Sequence, residues 1–220
     1  MLLVRPGRLA DGIGVCSAGD ENPVSNPMIQ LMEALEGARR ARDPGADSLN
    51  LITVDAEGYP VARVLTIRGI SEESVVVTIN RDSPKMQELE QGGRYEAHLF
   101  WPVVLGQVRM RGAYRVEDPP ELAQGWRRRA YGGKIVDLYQ AECRPQSSVV
   151  ASREVMLQEL AALRRRFPSD QAIQKPDQVV NLVLLPDFLE LWIGDATDRM
   201  HDRRRYTRQD DGWLEEILVP

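Results

Sequence analysis

The stretch SLNLITVDAEGYPVARVLTI, from Ser48 to Ile67, has the pattern of a β-hairpin and decides the fold class. Its first part, SLNLITVD (48–55), is typical of a strand, and its last part, VARVLTI (61–67), is rich in β-branched residues. The five residues between them, AEGYP, contain the Gly and Pro that tight turns favour. The stretch therefore predicts two antiparallel strands joined by a short turn.

Three further strands follow this hairpin, with one short helix among them. The predicted strands are SVVVTIN (74–80), RYEAHLFW (94–101) and GQVRMRGAYRV (106–116), and the helix is SPKMQELEQGG (83–93). In the strand 106–116, alternation separates an apolar face from a polar face. The apolar face contains Val108, Met110, Tyr114 and Val116, and the polar face contains Gln107, Arg109, Arg111 and Arg115.

Helices are predicted on both sides of this run of strands. Asn26-Pro27 is typical of a helix start, and Met28, Leu31, Leu35 and Ala38 then fall on one helical face. Two later segments, 118–131 and 152–166, also have helical character. The chain then returns to predicted strands at 179–185, 188–194, 199–207 and 213–218.

This order of elements predicts a mainly β fold with flanking helices. Strands and helices do not alternate along the chain, and short connections favour antiparallel pairing. So many short strands are expected to close into a barrel, because closure removes exposed sheet edges. We expect one domain over 27–220, preceded by a flexible tail over 1–26 that is rich in Gly, Asp, Asn and Pro.

Composition excludes several classes of protein. The chain has 220 residues, 43% of them hydrophobic and 28% charged, as in ordinary globular proteins. A net charge of −5 argues against a nucleic-acid partner. No apolar run approaches the ~20 residues of a membrane helix, and the N-terminus lacks the apolar core of a signal peptide. We therefore expect neither a nucleic-acid nor a membrane partner.

The cysteines and histidines indicate a reducing compartment and no metal. Cys16 and Cys143 are far apart in sequence, so two free thiols are expected, which fits a cytoplasmic protein. The two cysteines and two histidines have no ligand spacing, which makes a metal site improbable on the sequence.

Cationic residues near the hairpin are candidates for an anion site. Arg63 and Arg68 are five residues apart, so they would serve one ligand only if the strand bulges or ends between them; two solvated arginines are the alternative. Ser83-Pro84-Lys85 combines a cap, a first-turn proline and a lysine at a helix N-terminus, where phosphate binds readily. Many such helix starts bind nothing.

Two other polar segments allow both a functional and an ordinary interpretation. Gln146 and Ser147, in the segment 144–148, can hydrogen-bond a ring carbonyl or a phosphate, or can simply cap a loop. The run Trp126 to Tyr131 contains three arginines between two aromatic residues. A solvated helix face explains this run as well as an anion site does, and contact with RNA is a third and weaker option.

The C-terminal stretch WIGDATDRMHDRRRY (192–206) concentrates cations next to Trp192. On a strand, Arg199, His201 and Arg203 would point to one face. Two guanidiniums and an imidazole on one face repel each other unless an anion or an electron-rich ring lies among them. The stretch therefore indicates a ligand site, with a hydrated face of no function as the alternative.

These motifs together resemble the pyridoxine/pyridoxamine 5′-phosphate oxidase family, over about Pro27 to Pro220. The C-terminal motif has Glu190 and Trp192, a spacer one residue longer than usual, and then Arg199 to Arg203. Further matches, in the same order as in the family, are Asp55, Gly58, Pro60 and Arg63 of the hairpin, then Ser83, Lys85, Gln107, Gln146 and Ser147. The resemblance implies a split β-barrel that binds FMN at the interface of a homodimer.

The resemblance also implies roles for individual residues. FMN would be held by Arg63, Arg68, Thr78, Ile79, Ser83, Lys85, Gln107, Gln146, Ser147, Trp192 and Arg203. The substrate would be bound by Arg68, Arg129, Arg199 and His201, of which Arg199 and His201 would be catalytic. The implied reaction is a two-electron oxidation, with hydride passing to flavin N5 and O2 then giving hydrogen peroxide.

The sequence departs from the family where the phosphate of the substrate would bind. Of the tyrosine, arginine and serine that clamp this phosphate, only the arginine has a plausible match, Arg129, while the tyrosine position falls near Gly125 or Trp126. Arg68 stands where the family has lysine. Phenazine-biosynthesis oxidases, a branch of the superfamily, share several of these losses. We therefore expect an oxidase of a small aromatic or N-heterocyclic substrate in specialised metabolism; the alternatives are a genuine pyridoxamine-phosphate oxidase and a non-catalytic flavin-binding module.

Overall fold

A computed structural model describes residues 26–197 and 199–220. The predicted tail therefore lies, apart from Asn26, outside the described residues, as does Cys16. The helices are α1 (Pro27–Arg40), α2 (Pro84–Gly92), α3 (Pro120–Arg128), α4 (Tyr131–Glu142) and α5 (Arg153–Arg166), with a 3-10 turn at Asp170–Ala172. The strands are β1 (Ser48–Val54), β2 (Pro60–Ile70), β3 (Val75–Asn80), β4 (Glu96–Trp101), β5 (Gly106–Glu117), β6 (Val179–Ile193), β7 (Asp202–Gln209) and β8 (Gly212–Ile217).

The strands form one antiparallel sheet that closes into a barrel. Their order is β3-β2-β1-β4-β5-β6-β7-β8, and an additional pairing of β3 with β6 closes the first six strands. Strands β7 and β8 extend the sheet beyond β6. The predicted barrel with flanking helices is confirmed, and its closure leaves β3 and β6 paired along their facing edges.

The hairpin that begins the barrel is built on one aspartate and one glycine. The Asp55 carboxylate accepts hydrogen bonds from the main-chain N–H groups of Glu57 (3.1 Å) and Tyr59 (2.8 Å). Gly58 has a φ of 88°, a conformation that costs a residue without a Cβ very little. This turn sets the register in which Leu51 lies opposite Arg63.

Two irregularities interrupt the strands. In β2 the register shifts between Ile67 and Gly69, so that Arg68 is the extra residue of a bulge. In β6, Pro186 lies opposite Gly112 at a second shift, where a Cβ on Gly112 would come within 2.1 Å of the Leu185 carbonyl oxygen. The predicted strands 179–185 and 188–194 are therefore one strand, because a bulge accommodates the proline.

The barrel and the helices enclose two apolar clusters. Helix α1 begins as predicted, with the Asn26 side chain accepting from the Met28 N–H (3.1 Å), and its stripe of Met28, Leu31, Leu35 and Ala38 is buried in the main core. A second cluster joins α3, α4 and α5 through residues that include Trp126, Ile135 and Leu163. Helix α4 was not predicted, and the predicted helix 118–131 ends earlier, at Arg128.

The C-terminal strand begins later than predicted. Strand β7 starts at Asp202, while Arg199 lies in the preceding loop with a φ of 62°. The expectation that Arg199, His201 and Arg203 share one strand face is therefore wrong, since only Arg203 belongs to the strand. No helix among the described residues is long and apolar enough to cross a membrane.

Candidate functional site

A buried lysine at the start of α2 is the centre of the first group of candidate residues, which we call the Lys85 cluster (Arg63, Lys85, Glu88 and Gln146). The Lys85 side chain is only 7% exposed, and its Nζ lies 3.2 Å from the Gln146 side-chain oxygen. Burial, followed by the positive charge of Arg63, lowers the pKa of Lys85 to about 8, and Glu88 opposes this change. The positive charge of Lys85 is therefore destabilised in the folded chain.

Glu88 neutralises the other cation of the cluster. Its carboxylate lies 2.7 Å from Nη2 of Arg63 and also accepts from the Thr53 hydroxyl, to which Arg63 donates in turn. These contacts hold the Arg63 guanidinium beside β1. Two cations with one carboxylate leave an excess positive charge in a poorly hydrated place, and this donor set fits a phosphate group.

Ser83 occupies the cap position of α2 but does not act as predicted. Its side chain is fully buried and donates to the Asn80 carbonyl oxygen at 2.6 Å, instead of capping the first turn of the helix. The hydroxyl thereby fixes the loop before α2. Ser83 orients the start of the helix, and Lys85 supplies the charge.

A row of three side chains on neighbouring strands forms the second group, which we call the Trp192 row (Gln107, Trp192 and Arg203). Gln107 lies opposite Trp192 across β5 and β6, and Trp192 lies opposite Arg203 across β6 and β7. All three line a cavity of about 360 Å³. An amide, a flat indole and a guanidinium in a row offer hydrogen bonds and a stacking surface to a planar heterocycle.

A buried carboxylate supports this row from the side. Glu190, only 5% exposed, lies 3.1 Å from Nε of Arg203 and 3.7 Å from Nη1 of Arg109. Arg109 is held in turn by Glu96 at 2.7 Å. Because a buried carboxylate is stable only when paired, Glu190 fixes the position of the Arg203 guanidinium.

His201 packs against the Trp192 row. The imidazole and indole centroids are 4.7 Å apart, with the rings tilted by 55°. The main-chain N–H of Asp195 donates to Nδ1 of His201 at 3.0 Å. Since Nδ1 accepts this hydrogen bond, the proton of the neutral ring is on Nε2, which can donate to a ligand. His201 therefore contacts Trp192 from the loop before β7, and not from a paired strand position.

The third group lies around a cavity of about 710 Å³, which we call the Arg129 cavity. Arg68, Thr78 and Arg129 all line it, and Trp126 forms part of its wall. Thr78 donates to the Asn181 side chain at 3.0 Å. The bulge at Arg68 lies at this cavity, while Arg63 contacts Glu88, so these two arginines belong to different groups.

Asp137, on α4, is a charged residue of this region that the sequence did not reveal. Arg129 follows the last residue of α3, and its Nε lies 2.7 Å from a carboxylate oxygen of Asp137 on α4. Burial raises the pKa of Asp137, and the charges of Arg129 and Arg68 oppose that change. An apolar stripe of Ile135, Leu138 and Tyr139 at helical spacing was the signal that could have revealed α4.

The remaining candidates, Ser147, Ile79 and Arg199, differ in their exposure to solvent. Ser147 is exposed, with a φ of 68°, next to Gln146 of the Lys85 cluster. The Ile79 side chain is buried in the barrel core, so its side chain does not face a ligand. Arg199 is exposed in the loop before β7.

Comparison with known protein families gives two matches that together span most of the chain. Residues 37–166 match the family described as pyridoxamine 5′-phosphate oxidase. Residues 182–220 match the pyridoxine 5′-phosphate oxidase C-terminal dimerisation region, which contains Trp192, His201 and Arg203.

Individual relatives support the same assignment. The pyridoxine/pyridoxamine 5′-phosphate oxidase of Pseudomonas paraeruginosa is 34% identical over 210 residues, which are 96% of this chain and 94% of that protein. The enzyme of the same name from Azotobacter vinelandii is 33% identical over 208 residues, 94% of this chain and 93% of that protein.

Solved structures share the fold over nearly the whole chain. PhzG from Burkholderia lata, solved in complex with tetrahydrophenazine-1-carboxylic acid, superposes with a TM-score of 0.76 at 25% identity, covering 94% of this chain and 98% of that one. A pyridoxamine 5′-phosphate oxidase-related, FMN binding protein from Nostoc punctiforme has a TM-score of 0.65 at 19% identity, with 90% and 98% coverage. The barrel and the matched regions thus confirm the resemblance found in the sequence, and this chain belongs to the FMN-binding pyridoxamine 5′-phosphate oxidase family of oxidoreductases.

Proposed function

We propose that this protein is an FMN-dependent oxidase that removes two electrons from a small aromatic or N-heterocyclic substrate in specialised, phenazine-like metabolism. The observation that carries the proposal is the contrast between a largely retained set of cofactor donors, in which Pro84 and Arg68 are the departures, and a substrate clamp of which one member is retained. Lys85 and the Trp192 row match the family's cofactor residues, whereas Arg129 alone represents the phosphate clamp and is bound to Asp137. The ligand of PhzG, which is a carboxylic acid without phosphate, agrees with this choice.

The Lys85 cluster would hold the phosphate end of FMN. Arg63 and Lys85 supply charge, and Gln146 and Ser147 supply hydrogen bonds beside the N-terminus of α2. The Trp192 row would hold the ring, with Gln107 and Arg203 as donors and the indole as a packing surface. Arg68, Thr78 and Ile79 complete the set implied by the family, Ile79 through its main chain.

We further propose a homodimer in which each FMN contacts both chains. The Lys85 cluster and the Trp192 row lie on different elements, at α2 and across β5 to β7, and the second lies largely within the matched dimerisation region. A second copy would bring its Trp192 row to the Lys85 cluster of the first. Sedimentation of the FMN-loaded protein should therefore give a dimer, and a flavin-loaded monomer would contradict this arrangement.

When bound, FMN supplies the redox chemistry, since it accepts two electrons from the substrate and passes them to O2 to give hydrogen peroxide. The residues of the chain position the substrate and manage its charge. His201 donates a hydrogen bond from Nε2, because Nδ1 is occupied by the Asp195 N–H. Arg199, on the exposed loop before β7, would orient an anionic group of the substrate and stabilise the negative charge that a bound flavin gains with the hydride.

A second candidate function is genuine oxidation of pyridoxine or pyridoxamine 5′-phosphate to pyridoxal 5′-phosphate. It is favoured by the relatives of 33–34% identity, all of which carry that name. A non-catalytic flavin-binding module is the third candidate, and the presence of both Arg199 and His201 argues against it.

The cofactor assignment is tested on the purified protein. We expect a yellow protein that releases FMN, and not FAD, on denaturation, because the Lys85 cluster suits a terminal phosphate. A colourless protein that takes up no added FMN would contradict the proposal. Production of hydrogen peroxide with an oxidisable substrate then separates an oxidase from a flavin-binding module.

A further inference from the structure

The ion pair between Arg129 and Asp137 bears directly on the substrate that the Arg129 cavity accepts. The side chains are 29% and 15% exposed, so the pair is shielded from water and its charge interaction is only partly screened. Arg129 also lies over the Trp126 ring, with 5.8 Å between the guanidinium carbon and the ring centroid. Both contacts hold the guanidinium at the wall of the cavity.

A glycine allows Arg129 to take this position. A Cβ added to Gly133 would lie 3.1 Å from Nε of Arg129 and 3.5 Å from its Cζ, so Arg129 passes closely over the first turn of α4 to reach Asp137. A larger residue at position 133 would have to displace the arginine. Gly133 and Asp137 therefore act together, one by leaving space and the other by supplying charge.

The charges around the cavity leave room for one negative charge on a ligand. Arg68 and Arg129 contribute two positive charges, Asp137 contributes one negative charge and interacts with both, and Glu121 and Arg128 at the cavity wall cancel each other. The sum is one positive charge. A carboxylate carries one negative charge, which matches this sum, whereas a phosphate monoester carries about −1.5 to −2 at neutral pH, which exceeds it.

We propose that Asp137 is a specificity-determining residue that holds Arg129 away from phosphate, so that the cavity takes a planar ligand with a single carboxylate and discriminates against phosphate esters. This inference rests on the proposed function, which it deepens by naming the substrate class. Asp137 acts through Arg129, so it is a positioning residue and not a catalytic one.

The test compares two ligands that differ only in the phosphate. 4-Deoxypyridoxine 5′-phosphate and 4-deoxypyridoxine both lack the oxidisable group, and calorimetry on the FMN-loaded protein measures their binding without turnover. We expect the wild-type protein to bind the phosphate compound no more tightly than 4-deoxypyridoxine. Asp137→Asn should free Arg129 and tighten binding of the phosphate compound by about tenfold or more, the scale of a charge-assisted hydrogen bond, while the affinity for 4-deoxypyridoxine stays within about twofold.

Three further variants separate specificity from a structural effect. Asp137→Glu should restore the wild-type preference, and Asp137→Ser should repeat the gain seen with asparagine. Adding Arg129→Gln to Asp137→Asn should abolish the gain, because the freed guanidinium is then missing. An unchanged ratio of affinities in both the asparagine and the serine variant, or a wild-type protein that already binds the phosphate compound ten times more tightly, would overturn the inference. These ratios do not depend on turnover, so a protein that oxidises no substrate would refute the proposed function and leave this test intact.

Discussion

Two clusters in this molecule each place two cations near one carboxylate, but they differ in which cation the carboxylate contacts. In the Lys85 cluster, Glu88 is bonded to Arg63, so Lys85 donates to a neutral amide and its charge is destabilised. At the Arg129 cavity, Asp137 forms an ion pair with Arg129 itself. Among residues 26–197 and 199–220, Lys85 therefore has no charged partner in direct contact, whereas Arg129 is already paired.

The difference shows that the partners of the cations, and not their number, decide what an anion can gain. A phosphate entering the Lys85 cluster would relieve the desolvation of Lys85, whereas a phosphate at the Arg129 cavity would first have to displace or oppose a carboxylate. This contrast supports the proposal that the two clusters bind different ligands. In that proposal the first cluster binds the phosphate of the cofactor, and the second binds a singly charged substrate.

The largest effect is expected for His201 and Arg199, which lie outside both clusters. These residues are proposed to act on the substrate, so their variants test the rate of flavin reduction and not the binding of FMN. His201→Ala and Arg199→Ala should each slow reduction of the flavin by the substrate by about 10² to 10³, the usual loss for a donor aimed at developing charge. FMN should remain bound in both variants. Stopped-flow reduction under anaerobic conditions measures the rate, and a wild-type rate in Arg199→Ala would remove that residue from the reaction.

The next effect tests the Lys85 cluster through Lys85, whose hydrogen-bond partner is the neutral amide of Gln146. Lys85→Ala should weaken FMN binding by about 1.5–3 kcal/mol, as expected for a lost charge-assisted hydrogen bond. Fluorescence titration of the apoprotein with FMN gives the affinity. Lys134→Ala is the matched control, since Lys134 is also buried but is paired with Asp170 at 3.4 Å, and it should lower stability without changing FMN affinity.

The pH dependence of FMN binding also tests whether Lys85 contacts the phosphate. The lowered pKa of Lys85, about 8, means that the apoprotein loses this charge as pH rises through 8. Bound phosphate favours the charged lysine, so FMN affinity should be nearly level just below pH 8 and should fall above it. The fall should be absent in Lys85→Ala, and a wild-type affinity that rises above pH 8 would show that Lys85 does not contact the phosphate.

The same shift predicts an opposite trend in the stability of the apoprotein. Between pH 8 and 10.5 the unfolded chain keeps the Lys85 proton while the folded chain loses it, so the free energy of unfolding should rise with pH over that window. Denaturant unfolding of the apoprotein at several pH values, compared with Lys85→Ala, isolates this contribution. Equal pH profiles in the two proteins would contradict it.

The smallest effect is expected at the exposed arginine of the Arg129 cavity. Arg68→Gln should weaken binding of a carboxylate ligand only several-fold, because exposed ion pairs contribute about 0.2–1 kcal/mol. FMN affinity should change less than in Lys85→Ala. A loss of FMN as large as that of the lysine variant would show that Arg68, which the family resemblance places with both ligands, acts mainly on the cofactor.

Much of the barrel could be predicted because its signals are local. The hairpin turn depends on Asp55 and Gly58 within five residues, and the strands around it alternate or carry β-branched runs. The Asn26 cap and the stripe from Met28 to Ala38 are equally local. Closure of the barrel followed from the number of strands and is seen in the pairing of β3 with β6.

The errors occurred where distant contacts override local pattern. Strand β6 passes through Pro186 because β6 bulges there, with Asp187 as the extra residue, and Gly112 of β5 leaves room opposite it. Alternation put Arg199 on β7, yet the backbone turns at that residue and His201 reaches Trp192 from the loop. Asp137 was missed because α4 opens with Gly132 and Gly133, which hide a helix that packing against α5 stabilises.

The central claim is that this enzyme oxidises a substrate without phosphate, and anaerobic reduction of the FMN-loaded protein tests it most directly. Pyridoxamine 5′-phosphate and a dihydroaromatic carboxylic acid of phenazine type are mixed with the protein in separate experiments at equal concentration, and flavin absorbance is followed. We predict rapid bleaching by the carboxylic acid and slow or undetectable bleaching by pyridoxamine 5′-phosphate. Bleaching within seconds by pyridoxamine 5′-phosphate, with none by the carboxylic acid, would contradict the account and identify the chain as a pyridoxamine-phosphate oxidase.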